Sequence, residues 1–161
     1  MTSTPRIAAL TIPVLVAGLA GLGAVTGCGD DGDDGDTVNC ALEDRDDEFL
    51  AGMMKTGAGG VTVTLVSATP APPARNDNAW ELQLATPAGP FEGTVQVVPF
   101  MPDHNHGTPI QAVVEPVAGT PGRFTASPIN LFMPGLWEVT IRATPTGGTL
   151  DAVVFRFCVA S

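Results

Sequence analysis

The sequence predicts an all-β domain over residues 40–161, an immunoglobulin-like β-sandwich of about seven antiparallel strands. Three observations support this fold class. Apolar and polar residues alternate with a period of two in several short runs, as in an antiparallel sheet that buries one face. Glycine and proline are abundant between those runs. About seven such runs follow one another at short spacing, as in a two-sheet sandwich.

The strand pattern recurs along the domain and is separated by turn residues. Clusters rich in glycine or proline follow the runs, which favours short strands over helices. Only residues 44–56 could hold a helical turn. The clearest strand candidates are residues 61–65, 80–84, 95–97, 137–141 and 153–157, with weaker ones at 111–117 and 123–126.

Residues 1–27 have the organisation of a lipoprotein signal peptide. A short start with Arg6 precedes the apolar residues 7–24, and the stretch ends at Val25-Thr26-Gly27-Cys28. This ending resembles the lipobox of bacterial lipoproteins, which implies cleavage before Cys28 and acylation of that cysteine. We therefore expect a membrane-anchored lipoprotein of the bacterial cell envelope, on the periplasmic face or in the outer membrane. An ordinary export signal with an incidental cysteine is the alternative.

The net charge of −10 is concentrated in one part of the chain. Ten acidic residues lie between Asp30 and Glu48, and the rest of the domain is near neutral. Residues 28–39 are therefore interpreted as the acylated cysteine and an acidic Gly/Asp tether. A calcium loop is disfavoured because the repeat lacks ligands at set positions and a closing carboxylate. Nucleic acid is disfavoured as a partner because no basic patch exists to neutralise phosphates.

The two cysteines that remain after Cys28 are predicted to form one disulfide. Export would place Cys40 and Cys158 in an oxidising compartment, where two free thiols are the less favoured alternative. If Phe155 and Phe157 face the core, Cys158 lies on the opposite face of its strand. The bridge would then hold the Cys40 segment on the outside or edge of the sandwich.

Both histidines of the chain lie in one segment, from Phe100 to Gly107. In an extended backbone His104 and His106 point to the same side, so their rings can converge on one ion. Met101 precedes them, and Met133 lies in a loop that can meet this one at an end of the sandwich. Imidazole with thioether suits copper, particularly Cu(I). A polar turn beside core methionines is the alternative explanation of the same residues.

The order of these motifs resembles the YtkA-like domains, which are related to FixH. The resemblance covers roughly residues 61–158 and implies an immunoglobulin-like sandwich outside the cytoplasm, with copper handling or oxidase assembly in some relatives. It implies Met101, His104, His106 and Met133 as the metal-site residues. The lipid anchor and the flanking cysteines depart from the FixH pattern, which has a membrane helix. The motifs are Phe100-Met101-Pro102, His104, His106-Gly107, Gly122-Arg123-Phe124 and the run from Phe132-Met133-Pro134-Gly135 to Val139.

Two functions of different kinds are therefore expected. The first is a lipid-anchored envelope protein that binds or handles copper through a His/Met cluster. The second is a non-enzymatic domain that binds an envelope protein partner and no metal. An enzyme is not expected, since the sequence has no carboxylate pair in a motif, no nucleophile elbow and no cysteine nucleophile if the two domain cysteines are paired.

Overall fold

The structure is a computed structural model that describes residues 38–161. The predicted signal peptide, Cys28 and all but the last two residues of the predicted tether lie outside the described residues. Within residues 38–161 the chain is built from strands and a single short 3-10 turn, Cys40–Leu42. No helix in this part of the chain is long and apolar enough to cross a bilayer.

The strands form two antiparallel sheets that face each other across one core. The ten strands of residues 38–161 are β1 Met53–Thr56, β2 Thr62–Thr69, β3 Asn76–Thr86, β4 Gly89–Pro90, β5 Gly93–Met101, β6 His106–Gly107, β7 Val113–Pro116, β8 Arg123–Leu131, β9 Gly135–Pro145 and β10 Asp151–Val159. One sheet has the order β1-β2-β3-β8-β7, with β4 paired to β3, and the other has the order β10-β9-β5-β6. This arrangement confirms the predicted all-β sandwich.

The number of strands and one local prediction need correction. The five clearest candidates lie in β2, β3, β5, β9 and β10, but the described part of the chain has ten strands instead of about seven. The helical turn expected within residues 44–56 is wrong, because β1 ends that segment and pairs with β2 from Met53↔Leu65 to Thr56↔Thr62. Pairing gives the backbone of β1 its hydrogen-bond partners, and Met53 packs against the core.

The core lies between the inner faces of the two sheets. In β10 the buried residues Val153, Phe155 and Phe157 alternate with exposed or half-buried ones, as the register prediction required. Trp80 packs edge-on against Phe155 and Phe157, with ring centroids 6.4 and 5.6 Å apart. These contacts join the two sheets, because Trp80 belongs to β3 and both phenylalanines belong to β10.

The disulfide fastens an N-terminal segment to the outer face of the second sheet. Cys40 and Cys158 are bonded, with their Cα atoms 5.5 Å apart, which confirms the predicted pair. Residues 40–47, called the N-terminal strap below, then run beside β10. Asp47 donates its backbone N–H to the Arg156 carbonyl (2.8 Å), and its carboxylate accepts the N–H of Arg156 (2.7 Å). The strap therefore belongs to the folded domain, although its composition is acidic.

Candidate metal centre at one end of the sandwich

The histidine loop, residues 102–107, lies where β5 turns back into β6. The hairpin pairs Phe100 with Gly107 and Met101 with His106. Asn105 adopts a φ of 54°, a left-handed conformation that asparagine tolerates better than most residues. This tight turn places His104 at the exposed tip and brings His106 back beside the end of β5.

The two imidazoles lie close together, but a turn over residues 102–105 brings them there and not the extended backbone that the sequence prediction assumed. Their ring centroids are 5.7 Å apart, and the ring planes are inclined at 64°. Two imidazoles that share one ion, with metal–nitrogen distances of about 2.0–2.1 Å, hold their ring centroids about 5–6 Å apart. The observed centroid spacing falls within that range.

The ring of His106 is oriented by its neighbours. Its Nδ1 lies 3.1 Å from the carbonyl oxygen of Gly107. Since a carbonyl can only accept, this contact is a hydrogen bond in the tautomer with the proton on Nδ1, and in the neutral form of that tautomer Nε2 is the nitrogen open to a ligand. The ring also stacks on Phe132 at a centroid distance of 5.7 Å and an angle of 26°, and it meets the edge of Trp137 at 6.5 Å.

Met101, the first predicted thioether ligand, is a cross-strand neighbour of His106. Side chains of directly paired residues in an antiparallel ladder lie on the same face, with Cβ atoms about 4.5–5.5 Å apart. Met101 is fully buried and belongs to the core, so its sulfur lies beneath the loop rather than at its tip.

Met133, the second predicted thioether ligand, lies in the loop between β8 and β9. Its carbonyl oxygen accepts the indole N–H of Trp137 at 2.9 Å, and Trp137 in turn contacts His106. Met133 is half-buried against the core. The other adjacent methionines, Met53 and Met54, lie in β1 of the opposite sheet.

The donors at this end of the sandwich are two imidazoles and two thioethers. Among residues 38–161 no group of three or more His, Cys, Asp or Glu side chains is placed to hold a metal ion. Soft thioether sulfur beside imidazole nitrogen is the donor type that copper prefers, above all Cu(I). The residues present therefore fit the predicted copper ion in their chemistry and in the spacing of their rings.

Sequence reasoning missed Arg45, which belongs to the N-terminal strap. Its Nη1 and Nη2 atoms lie 2.8 and 2.7 Å from the two carboxylate oxygens of Asp103, the residue before His104. The hydrogen bonds from Arg45 hold the pKa of the Asp103 carboxyl below its usual range. They also lower the pKa of Glu43 to about 2. No local signal relates Arg45 to a residue 58 positions away.

Comparison with known families places these observations in context. The family model described as YtkA-like matches residues 55–142, more than half of the 161-residue chain. The matched region contains all four predicted metal-site residues but neither the N-terminal strap nor the two disulfide cysteines. The chain has no significant match among curated proteins or among solved structures. The match confirms the resemblance read from the motifs and supports an envelope-associated domain protein: the chain belongs to the YtkA-like family.

Proposed function

We propose that this protein is a lipid-anchored domain of the bacterial cell envelope that binds Cu(I) through His104 and His106. The observation that best supports this proposal is the 5.7 Å distance between the centroids of the two imidazole rings, in a loop whose turn brings them together. Met101 or Met133 completes the donor set with a thioether. Copper in this proposal is cargo that the domain holds and passes on.

The surroundings of His106 favour such a site. In the tautomer whose Nδ1–H donates to the Gly107 carbonyl, the neutral ring would present Nε2 to the ion. Phe132 and Trp137 cover the ring and limit the access of water on that side. A shell of this kind favours a soft monovalent ion over a strongly hydrated divalent one.

The membrane anchor in this proposal depends on Cys28. The run Val25-Thr26-Gly27-Cys28 is the sequence feature that supports acylation, and the acidic segment after it would separate the domain from the bilayer. Labelling of cells with a radioactive or clickable palmitate tests this directly. We expect label on the wild-type chain and none on a Cys28→Ala variant. Equal labelling of both would contradict the anchor without affecting the copper proposal.

Copper binding is tested by a Cu(I) competition titration on the mature chain. Residue 28 is changed to serine in every sample, because a free Cys28 thiol would itself bind Cu(I). We expect one equivalent of Cu(I) to bind, and we expect this binding to be lost in a His104→Ala/His106→Ala variant. Asn105→Gly is the matched control, since glycine tolerates the left-handed φ and both imidazoles remain. Equal binding by the double variant would refute the proposal.

A second candidate function, the binding of a protein partner, is favoured by one observation. A cleft of about 640 Å³ opens between the start of β5 and the β7–β8 hairpin, lined by Val95, Val114 and Val117 among others. It is separated from the histidine loop by most of the length of β5, about 25 Å at 3.3 Å per residue. A photo-crosslinker placed at Val117 in intact envelopes would capture such a partner. The absence of any crosslinked protein would count against this second function.

A further inference from the structure

The guanidinium of Arg45 is held on two sides. Glu43 accepts from its Nε at 2.8 Å and from Nη2 at 2.7 Å, and Asp103 accepts from Nη1 and Nη2 at 2.8 and 2.7 Å. A planar guanidinium bound by two carboxylates in this way has a fixed orientation, which a lysine ammonium could not reproduce. Through Arg45, the N-terminal strap is bound to Asp103 of the histidine loop, the residue immediately before His104.

The strap itself is attached to the sandwich at several points. The disulfide fixes Cys40 to Cys158, and the N–H of Cys158 donates to Asp46 at 3.4 Å. Lys55 of β1 forms an ion pair with Asp47. A small cleft beneath the strap is lined by Arg45, Pro102 and Leu136 among others.

Leu136 shows that the strap covers apolar surface. It pairs with Cys158 and so lies on the outer face of its sheet, yet it is only 3% exposed. A segment outside the core must therefore cover Leu136. The N-terminal strap is that segment, because Arg45 of the strap lines the same small cleft as Leu136.

From these contacts we infer that Arg45 is a positioning residue for the histidine loop, and that the Cys40–Cys158 bond sets how firmly the strap holds it. The disulfide tethers the beginning of the strap, and Arg45 transmits that restraint to Asp103. The histidine loop is then ordered before any ion arrives. The inference extends to Cu(I) affinity only through the proposed function, while its structural part stands without copper.

Reduction of the Cys40–Cys158 disulfide would weaken the attachment of the strap. A dithiol reductant transfers two electrons and two protons to the Cys40–Cys158 bond, which gives two cysteine thiols and the disulfide of the reductant. After reduction the strap is held by the polar contacts of Asp46, Asp47 and Arg45 and by its cover over Leu136. Arg45 and Asp103 are about half exposed, so their ion pair alone holds the loop weakly. Reduction should therefore loosen the histidine loop.

Hydrogen–deuterium exchange of the full mature chain, with Cys28→Ser, tests the positioning role without metal. We expect the amides of residues 103–107 to exchange faster in Arg45→Ala than in the wild type, with partial protection restored in Arg45→Lys. Arg142→Ala, which removes an exposed arginine of β9, is the matched control and should leave these amides unchanged. Unchanged exchange in Arg45→Ala would overturn the inference.

The coupling to the disulfide is tested by a double-mutant cycle. Cys40→Ser/Cys158→Ser should speed exchange at residues 103–107 in the wild-type background and have little further effect in Arg45→Ala. Additive effects would show that the disulfide does not act through Arg45, and would refute that half of the inference. Serine variants are preferred to chemical reduction, because the same proteins can then serve in the Cu(I) titration without free thiols that would bind the metal.

Cu(I) affinity gives the functional readout. Arg45→Ala removes an exposed ion pair, which contributes little free energy. We therefore expect its affinity for Cu(I) to be about two- to fivefold lower than that of Arg142→Ala. If the wild type binds no Cu(I), the proposed function fails, while the exchange experiment still decides the role of Arg45. If Cu(I) binds equally to both arginine variants, the positioning role in metal binding is wrong and the copper proposal survives.

Discussion

The indole N–H of Trp137 donates to the main-chain oxygen of Met133 at 2.9 Å, while the same ring contacts His106 at a centroid distance of 6.5 Å. One fully buried side chain therefore touches both loops that carry the predicted ligands. Because Trp137 also packs in the core, the relative position of the two loops is tied to the stability of the sandwich.

Substitution of Trp137 tests this link. We expect Trp137→Phe to lower the free energy of unfolding by more than Trp80→Phe does, by about 1 kcal/mol, the worth of one hydrogen bond. Trp80 is the matched control because it is similarly buried and its indole nitrogen has no hydrogen-bond partner among the described residues. Denaturant unfolding measures both values. Equal losses would mean that the bond to Met133 contributes no stability.

Asp151 is expected to make stability depend on pH. Burial raises the pKa of this carboxyl, but backbone N–H groups of Val61, Gly59 and Ala152 donate to it, and together they hold its pKa below the ordinary value of 3.8. A lowered pKa means that the unfolded chain binds the proton more tightly, so stability is present above pH 3.8 and is lost as pH falls below it.

The Asp151→Asn variant separates this contribution from the others. We expect it to cost about 1–3 kcal/mol at neutral pH, because a buried acceptor of several hydrogen bonds is replaced. Its stability should also fall less steeply than that of the wild type below pH 4. Glu115→Gln, at an exposed position in β7, removes one charge as a control. Parallel pH profiles for the wild type and Asp151→Asn would refute this assignment.

Removal of the disulfide should destabilise the domain strongly. The bond joins cysteines 118 residues apart, and the chain-entropy model gives about 4–5 kcal/mol for a loop of that length. We expect Cys40→Ser/Cys158→Ser to lower the free energy of unfolding by up to that amount, with the fold retained at low temperature. Calorimetry or urea unfolding measures the change. A loss below about 1 kcal/mol would show that the strap adds little to global stability.

Gly135 has a local role beside the candidate site. Its φ is 129°, which side chains rarely adopt, and a Cβ atom built there would lie 2.7 Å from Cε of Met101. Gly135→Ala should therefore destabilise the domain by at least 1 kcal/mol and displace Met101. Gly119→Ala is the control, because its φ is also positive but its Cβ would meet open space. Equal losses of stability in the two variants would show that the contact with Met101 does not contribute.

Much of the fold is predictable from sequence because the pattern of burial is simple. β10, and β9 from Trp137 onward, bury alternate residues, so Trp137, Val139 and Phe155 reveal the inner face directly. The second half of β8 escaped prediction because Pro128 interrupts the pattern and the next three residues are all buried. A register shift between Asn78 and Trp80 in the neighbouring strand accompanies this irregularity.

The candidate site is predictable only where its residues are close in the chain. His104 and His106 form a local motif, and their pairing with Met101 follows from a short hairpin. The contact of Arg45 with Asp103 depends on the path of the strap across the outer face, which the disulfide determines and no periodicity records. Long-range contacts between exposed charges leave no pattern in a single sequence.

Binding of one Cu(I) ion by two imidazoles and a thioether can be followed at the ligand atoms themselves by nuclear magnetic resonance. One equivalent of Cu(I) would be added to the isotope-labelled Cys28→Ser chain while histidine side-chain nitrogens and methionine methyl groups are followed. We predict that Nε2 of His106 shifts, that a ring nitrogen of His104 shifts, and that the Met101 or Met133 methyl moves while exposed Met54 does not. If the histidine nitrogen shifts stay unchanged at one equivalent of Cu(I), the two imidazoles do not bind the ion.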